Sequence, residues 1–324
     1  MPIITRRTLL TAAAASASTR LAGAQPAEPG AGWTPRRPIQ IVVGFAPGGG
    51  SDIVARGIAE AARELSPVPV MVVNKPGAAG ILAAQQVARA TPDGTQLVVS
   101  GGSETVSMPF HREVPYKPFE DFQHLLLIAR YPLFLCVRAD GPYRTLGDLM
   151  TRAKAEPGQV SHGSSGVGSM YHSAFLVLNQ RAGTEMLHVP YTGGGPTLTA
   201  LAAGDIDVAY ASPDEFKGLF EGGVLRLLAV ASRERVSGFE TVPTLIESGL
   251  DVFIENMKGL SAPAATPEPI ASWLQDTFRR ALQTPAWESF ARRANIVTAY
   301  QDKDEYTRTL RDMAGTIAAA LRSG

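Results

Sequence analysis

Nine consecutive residues constrain this chain more than any others: Gly44-Phe45-Ala46-Pro47-Gly48-Gly49-Gly50-Ser51-Asp52. They follow Ile39-Gln40-Ile41-Val42-Val43, a short β-branched run that reads as a buried strand. They precede residues 53–65, where Val54, Ile58, Ala61 and Leu65 fall on one helical face. Ser51 or Asp52 is expected to cap that helix by accepting a bond from its free amides. Strand, glycine turn and helix start together make an anion site, because the first amides of a helix have no intrahelical partner.

The device recurs three times. Residues 70–74 lead into Lys75-Pro76-Gly77-Ala78-Ala79-Gly80 and a helical run to Ala90. Residues 159–162 lead into Gly163-Ser164-Ser165-Gly166-Val167-Gly168-Ser169 and a helix from Met170 to Arg181. Residues 186–189 lead into Pro190-Tyr191-Thr192-Gly193-Gly194-Gly195, with Pro196 suited to a first helical turn. Any one of these turns is weak evidence, but four of them divided between two halves of the chain predict two α/β lobes facing a shared cleft. A fifth polar tip, Ser100-Gly101-Gly102-Ser103, ends the third strand.

The order of elements predicts lobe 1 over residues 36–130, lobe 2 over 131–252, and a return to lobe 1 with C-terminal helices over 253–324. Lobe 2 is expected to have its own parallel sheet, and residues 243–249 to form a short capped helix. The chain crosses between lobes near Arg130-Tyr131-Pro132 and again near residues 252–258, so the two crossings form a hinge. Ligand sites then lie at the carboxyl ends of the strands, where the glycine turns are.

Residues 1–24 read as an export signal. Thr5-Arg6-Arg7-Thr8-Leu9-Leu10 resembles a twin-arginine motif, and Ala22-Gly23-Ala24 suits cleavage before Gln25. Residues 25–35 form a Pro/Gly-rich tether. The formal net charge is zero, but three of the 30 basic residues lie in the signal, leaving 27 against 30 acids. That balance excludes a basic face for nucleic acid. Cys136 is the single cysteine, in an apolar strand, so no intramolecular disulfide forms, and five scattered histidines give no metal-ligand spacing. No metal and no cofactor is expected.

Enzyme motifs fail on inspection. Gly50-Ser51-Asp52 lacks the Lys-Ser/Thr of a phosphate loop, and Gly48-Gly49-Gly50 is not the spaced dinucleotide pattern. Neither Ser164 nor Ser165 has glycines two residues to each side, as a nucleophile elbow requires. His162, His172 and His188 lie near the turns without a nucleophile beside them in sequence and read as structural. Asp205 reads as turn chemistry. Asp207 is a candidate to face the cleft and meet an amine or hydroxyl of a ligand.

Residues 45–52, Asn74-Lys75-Pro76-Gly77-Ala78, Pro115-Tyr116-Lys117-Pro118 with Asp121-Phe122, Gly163 to Ser169 with His172, Val189-Pro190-Tyr191-Thr192-Gly193-Gly194 and residues 259–267 together resemble one family. It is the extracytoplasmic solute-receptor family of tripartite tricarboxylate transporters, often called Bug receptors, and the resemblance runs from about residue 36 to the C-terminus. It implies a type II periplasmic-binding-protein fold closing over a small carboxylated solute, held by backbone amides and waters more than by charged side chains. It also implies membrane permease subunits as partners, a periplasmic location and a monomer without catalytic residues.

Carried over, Ala46, Pro47, Gly48, Gly49, Ser51 and Asp52, beside Phe45, hold one carboxylate together with Pro76, Gly77, Ala78 and Ala79. Ser100, Gly101 and Ser103 line the cleft, as do Ser164, Ser165, Gly166, Val167, Gly168 and Ser169, with His172 nearby. Tyr191, Thr192, Gly193, Gly194 and Asp207 fix the distal group of the solute. Two departures stand out. Ala79 replaces a glycine of the family pattern, and its methyl is expected to oppose a positive φ or displace a bridging water. The segment Glu255-Asn256-Met257-Lys258 also lacks the tryptophan usual before the Gly-Leu pair. A secreted enzyme acting on a carboxylated substrate, or a receptor feeding a sensor protein, are the competing readings.

Overall fold

The computed structural model describes residues 33–322; residues 1–24, expected to be an export signal, and nearly all of the expected tether lie outside them. Lobe 1 begins with β1 (Ile39–Val43), α1 (Gly50–Ala61), β2 (Val70–Asn74), α2 (Ile81–Ala88) and β3 (Gln96–Ser100). A π-turn at Ser103–Ser107 runs into the short α3 (Met108–His111), and β4 (Phe122–Pro132) leaves the lobe. Leu133 alone separates β4 from β5 (Phe134–Arg138), which already belongs to lobe 2. There follow α4 (Leu146–Ala155), β6 (Ser161–Ser164), α5 (Met170–Ala182), β7 (Leu187–Pro190), α6 (Gly194–Ala203), β8 (Val208–Ala211), α7 (Pro213–Glu221) and β9 (Leu225–Val230). The chain returns through β10 (Glu255–Pro263) to α8 (Glu268–Ala281), α9 (Pro285–Arg293), β11 (Val297–Gln301) and α10 (Lys303–Arg322).

The lobe 1 sheet has the order β11-β4-β10-β3-β1-β2, and the lobe 2 sheet the order β7-β6-β8-β5-β9. β1 pairs in parallel with β2 and β3, as strand-helix-strand connections require. The lobe 2 sheet is mixed, not all parallel: β6 runs with β7 and β8, while β5 is antiparallel to β8 and β9. The reason is that β5 enters from the hinge, against the direction of the strand-helix units. Residues 243–249 form a turn instead of a helix, although Thr244 and Glu247 make the reciprocal bonds of a helix start. β11 has no counterpart among the expected strands. It is a short, largely exposed edge with little apolar signal.

Burial follows periodicity. β1 is buried at four of five positions, and α8 turns Ile270, Ala271, Leu274, Phe278 and Ala281 onto the lobe 1 sheet. α10 buries Tyr306, Leu310, Met313 and Ile317 at three- and four-residue spacing. These share a core with Phe175 and Leu178 of α5, so the last helix spans both lobes instead of packing on lobe 1 alone. No described helix is long and apolar enough to cross a membrane.

Candidate functional site

The carboxyl ends of the parallel strands of both lobes converge on a cleft of about 460 Å³. A larger groove of about 730 Å³, lined by Arg56, Arg63, Val70 and Phe290, lies on the outer surface beside α1 and β2 and collects none of the glycine turns.

The first turn is held from behind. Asp52 Oδ2 accepts from Gly48 N at 2.9 Å and from Arg56 Nε at 2.8 Å, and Oδ1 accepts from Asn74 Nδ2 at 2.8 Å. The Asn74 amide also donates to Phe45 O, and Arg56 donates to Asn74 Oδ1. Burial raises the Asp52 carboxyl, but these bonds and the Arg56 charge outweigh it and hold the group below the usual carboxylate range. Helix α1 therefore has Gly49 at its cap position and no side-chain cap, which corrects the expected capping by Ser51 or Asp52. Asp52 is spent on shaping the loop and is buried away from the cleft. Gly44 has no room for a β-carbon, which would sit 2.5 Å from Gly80 Cα; that approach brings the first two turns together. Ala79 does adopt the left-handed conformation, with φ 53° and ψ 39°, so its methyl does not prevent it.

Of the residues singled out in the sequence, Phe45, Gly49, Ser51, Ala79 and Ser103 line the cleft from lobe 1, and Ser165, Thr192, Gly193 and Gly194 from lobe 2. Ala46, Pro47, Gly48, Pro76, Ala78 and the strongly exposed Val167 lie at the surface of the same turns, outside the lining, as does the half-buried Gly77. Ser100 is buried against Ser261 and Tyr306, and Gly101 N donates to Thr105 Oγ. Ser164 bonds Gly166 and His188, Ser169 caps α5 through His172 N, and Tyr191 N donates to Ser164 O. Gly168 N donates to His172 Nδ1, while Gly168 O accepts from Ser107 Oγ across the lobes.

Asp207 is not at the cleft. Its carboxylate accepts from Ser161 N and Ser161 Oγ, both at 2.8 Å, at the amino end of β6 and so at the far edge of the sheet from the turns. The acid expected to meet a ligand there is instead a clamp between two strand starts.

His162, His188, His172 and His111 follow one another in a series of rings, with neighbouring centroids 4.9, 4.0 and 5.1 Å apart, the first three stacked and His111 tilted. Burial, followed by the neighbouring imidazoles, pushes His162 down to about 2 and His172 to about 4, so both are neutral at pH 7. Ser164 lies 2.7 Å from His188, but it is fully buried and outside the cleft lining, a structural pair and not an exposed nucleophile. Among the described residues no group of acids, histidines and cysteines is arranged to hold a metal.

The charged cleft residues escaped the sequence reading. Lys258 and Asn256 project from β10, Tyr131 from β4, Tyr171 from α5, and Asp214 and Glu215 from the start of α7. Ser212-Pro213-Asp214-Glu215 carries a legible signal, a Ser-x-x-Glu capping box with Pro in the first turn, and it marks a further helix start at a strand end. Glu215 Oε2 accepts from Tyr171 OH at 2.6 Å and from Ser212 N and Oγ at 3.1 Å. Burial nonetheless raises the Glu215 carboxyl and lowers the Lys258 ammonium, the latter opposed by the charges of Glu104, Asp214 and Glu215.

A sequence profile described as the tripartite tricarboxylate transporter family receptor matches residues 54–320. The chain is 32% identical over 296 residues to a UPF0065 protein of Cupriavidus necator, covering 91% of this chain and 90% of that one. Among solved structures it is similar to a TctC solute-binding protein from Polaromonas, with a TM-score of 0.79 and 28% identity over 90% of this chain and 99% of that one. It is also similar to MatC of Rhodopseudomonas palustris with bound malate, with a TM-score of 0.74 and 27% identity over 89% of this chain and 99% of that one.

Proposed function

The chain belongs to the tripartite tricarboxylate transporter receptor family, and on that premise we propose that it captures a small carboxylated organic solute and hands it to the permease subunits of such a transporter. The family is one of periplasmic solute-binding receptors, and this chain shares its fold. The observation that carries the finer reading is the cleft itself: glycine turns of both lobes face one shared, half-open space with Lys258 in its wall. MatC, of the same architecture, holds malate, a carboxylate.

Capture proceeds by closure of the lobes about the crossings at Leu133 and Ile254, the first between β4 and β5, the second where Ile254 N bonds Ala231 O just before β10. Lobe 1 then comprises residues 36–132 and 255–324 and lobe 2 residues 133–254, two residues on from the expected bounds, because Tyr131 and Pro132 stay paired with β10 in the lobe 1 sheet. The receptor works as a monomer and reaches the periplasm on its N-terminal signal. The solute lies on Phe45, Gly49, Ser51 and Ala79 from one side and on Ser165 and Thr192 to Gly194 from the other.

Native mass spectrometry of the purified protein, followed by a thermal-shift screen of organic acids, tests this. An acid at 100 times its dissociation constant raises stability by about 2.7 kcal/mol, and it is expected back chemically unchanged. An acid consumed during incubation would transfer the reading to an enzyme, and silence across the screen would end the carboxylate reading.

A further inference from the structure

The charges of the cleft are divided by lobe. Lobe 1 contributes one cation, Lys258, and lobe 2 contributes two acids, Asp214 and Glu215, with no other ionisable acid or base among the lining residues. A dicarboxylate placed there would bring two negative charges to a wall that already carries an excess of acid, and like charges repel more strongly as the cleft closes and water leaves.

The details sharpen the division. Glu215 Oε2 is occupied by Tyr171 and Ser212, but Oε1 receives no hydrogen bond from any described residue. Oε1 lies against Gly194, at the first residue of α6, so closely that a β-carbon there has no room. One of the four helix starts read as anion sites is thus already faced by the protein's own carboxylate. Across the cleft, Lys258 is 6% exposed and donates to Asn256 Oδ1 at 2.9 Å. Among the described residues no carboxylate oxygen lies within 4.0 Å of its ammonium, so two of its three donors remain for an anion. Phe45, Tyr131 and Tyr171 complete the wall, with the Lys258 ammonium 5.8 Å from the Phe45 ring centroid.

We propose that the solute is an amino acid, its ammonium group taken by Glu215 Oε1 and Asp214 on lobe 2 and its carboxylate by Lys258 and the turn amides on lobe 1. The assignment rests on the receptor reading above and narrows it from carboxylates in general to those bearing a cationic nitrogen. Closure brings the two halves of the zwitterion to opposite lobes, so the solute itself bridges them. The Glu215 carboxyl, raised by burial when no cation is beside it, becomes fully ionised once the ammonium arrives.

Calorimetric titration with matched pairs tests the assignment: aspartate against succinate, glutamate against glutarate, and phenylalanine against 3-phenylpropionate. At least one amino acid is expected to bind at least about tenfold more tightly than its deamino partner, the value of one charged hydrogen bond. Glu215→Gln keeps the capping geometry of α7, since Gln also serves at that position. It is expected to weaken the amino acid about tenfold or more and leave the deamino acid unchanged or tighter. Asp214→Asn, at an exposed position, is expected to act in the same direction with no change in melting temperature of the free protein. A deamino acid that binds as well as its amino partner overturns the ammonium assignment and leaves the carboxylate receptor standing. Equal loss of both partners in E215Q overturns it too, because Glu215 then acts on the fold and not on the ammonium. Failure of every amino acid and every deamino acid to bind overturns both readings.

Discussion

Asp52→Asn isolates the physics of the first turn. The side chain is 3% exposed and receives three donors, and the amide that replaces the carboxylate presents its own donor to at least one of them. The bonds from Gly48 N and Asn74 are charge-assisted in the native protein, worth about 1.5–3 kcal/mol each against about 1 for a neutral bond. Arg56 is half exposed, so its ion pair adds only about 0–1 kcal/mol. The substitution is therefore expected to cost about 2–4 kcal/mol at pH 7. Urea unfolding followed by tryptophan fluorescence reads this, since Trp287 is buried in the lobe 1 core. The sign with pH is fixed. A carboxyl held below its unfolded value of about 3.9 stabilises above that value, and the contribution is lost as pH falls through the folded value. The gap between native protein and variant must then narrow from pH 7 to pH 3. A gap below about 0.5 kcal/mol at pH 7, or one that stays constant with acid, refutes the claim that a buried carboxylate holds this loop.

Three further outcomes follow from other sites. His162 stays neutral in the fold but takes a proton when unfolded below about pH 6.5, so stability is full above that pH and falls beneath it. Urea midpoints of His162→Phe, which extends the stack on Phe175, should therefore lose about 2 kcal/mol less than native between pH 7 and 5, and equal losses would contradict this. Cys136 is fully buried in β5 and burial pushes its thiol up, so an aromatic disulfide reagent should label it only in denaturant; prompt labelling of the native protein would show the strand to open. Ala79→Gly should stabilise by up to about 1 kcal/mol by relieving the left-handed alanine, and a loss of stability would show that the methyl is packed to advantage.

The two-lobe architecture was legible because it rests on local devices. Each parallel unit announces itself as an apolar run, a glycine turn and a periodic helix, and the run of Phe45, Gly49, Ser51 and Ala79 carries the site with it. Other features depend on partners distant in sequence. The direction of β5 follows from its entry at the hinge, and β11 is a strand only because β4 offers an edge. Asp207 and Lys258 show the limit most plainly. Asp207 sits two residues from a strand centre, and sequence could not say which end of the sheet it would face; Lys258 stands in the mixed run Glu255-Asn256-Met257-Lys258-Gly259 and becomes a cleft residue only where β10 crosses between lobes. Asp214 and Glu215 were the accessible omission, since the capping box before them marks a helix start at a strand end like the other four.

The last helix has a consequence for the order in which the molecule is built. α10 shares one core with α5 of lobe 2 and, through Tyr306 bonded to Ser100, with the end of β3 in lobe 1. Lobe 2 lies within one uninterrupted stretch of chain and can assemble while synthesis continues. Lobe 1 lacks its inner strand β10 and its edge β11 until the final quarter is made. Without residues 303–322 the core that joins the lobes would be open and the buried face of α5 uncovered. The capacity to grip thus waits on residues 303–322.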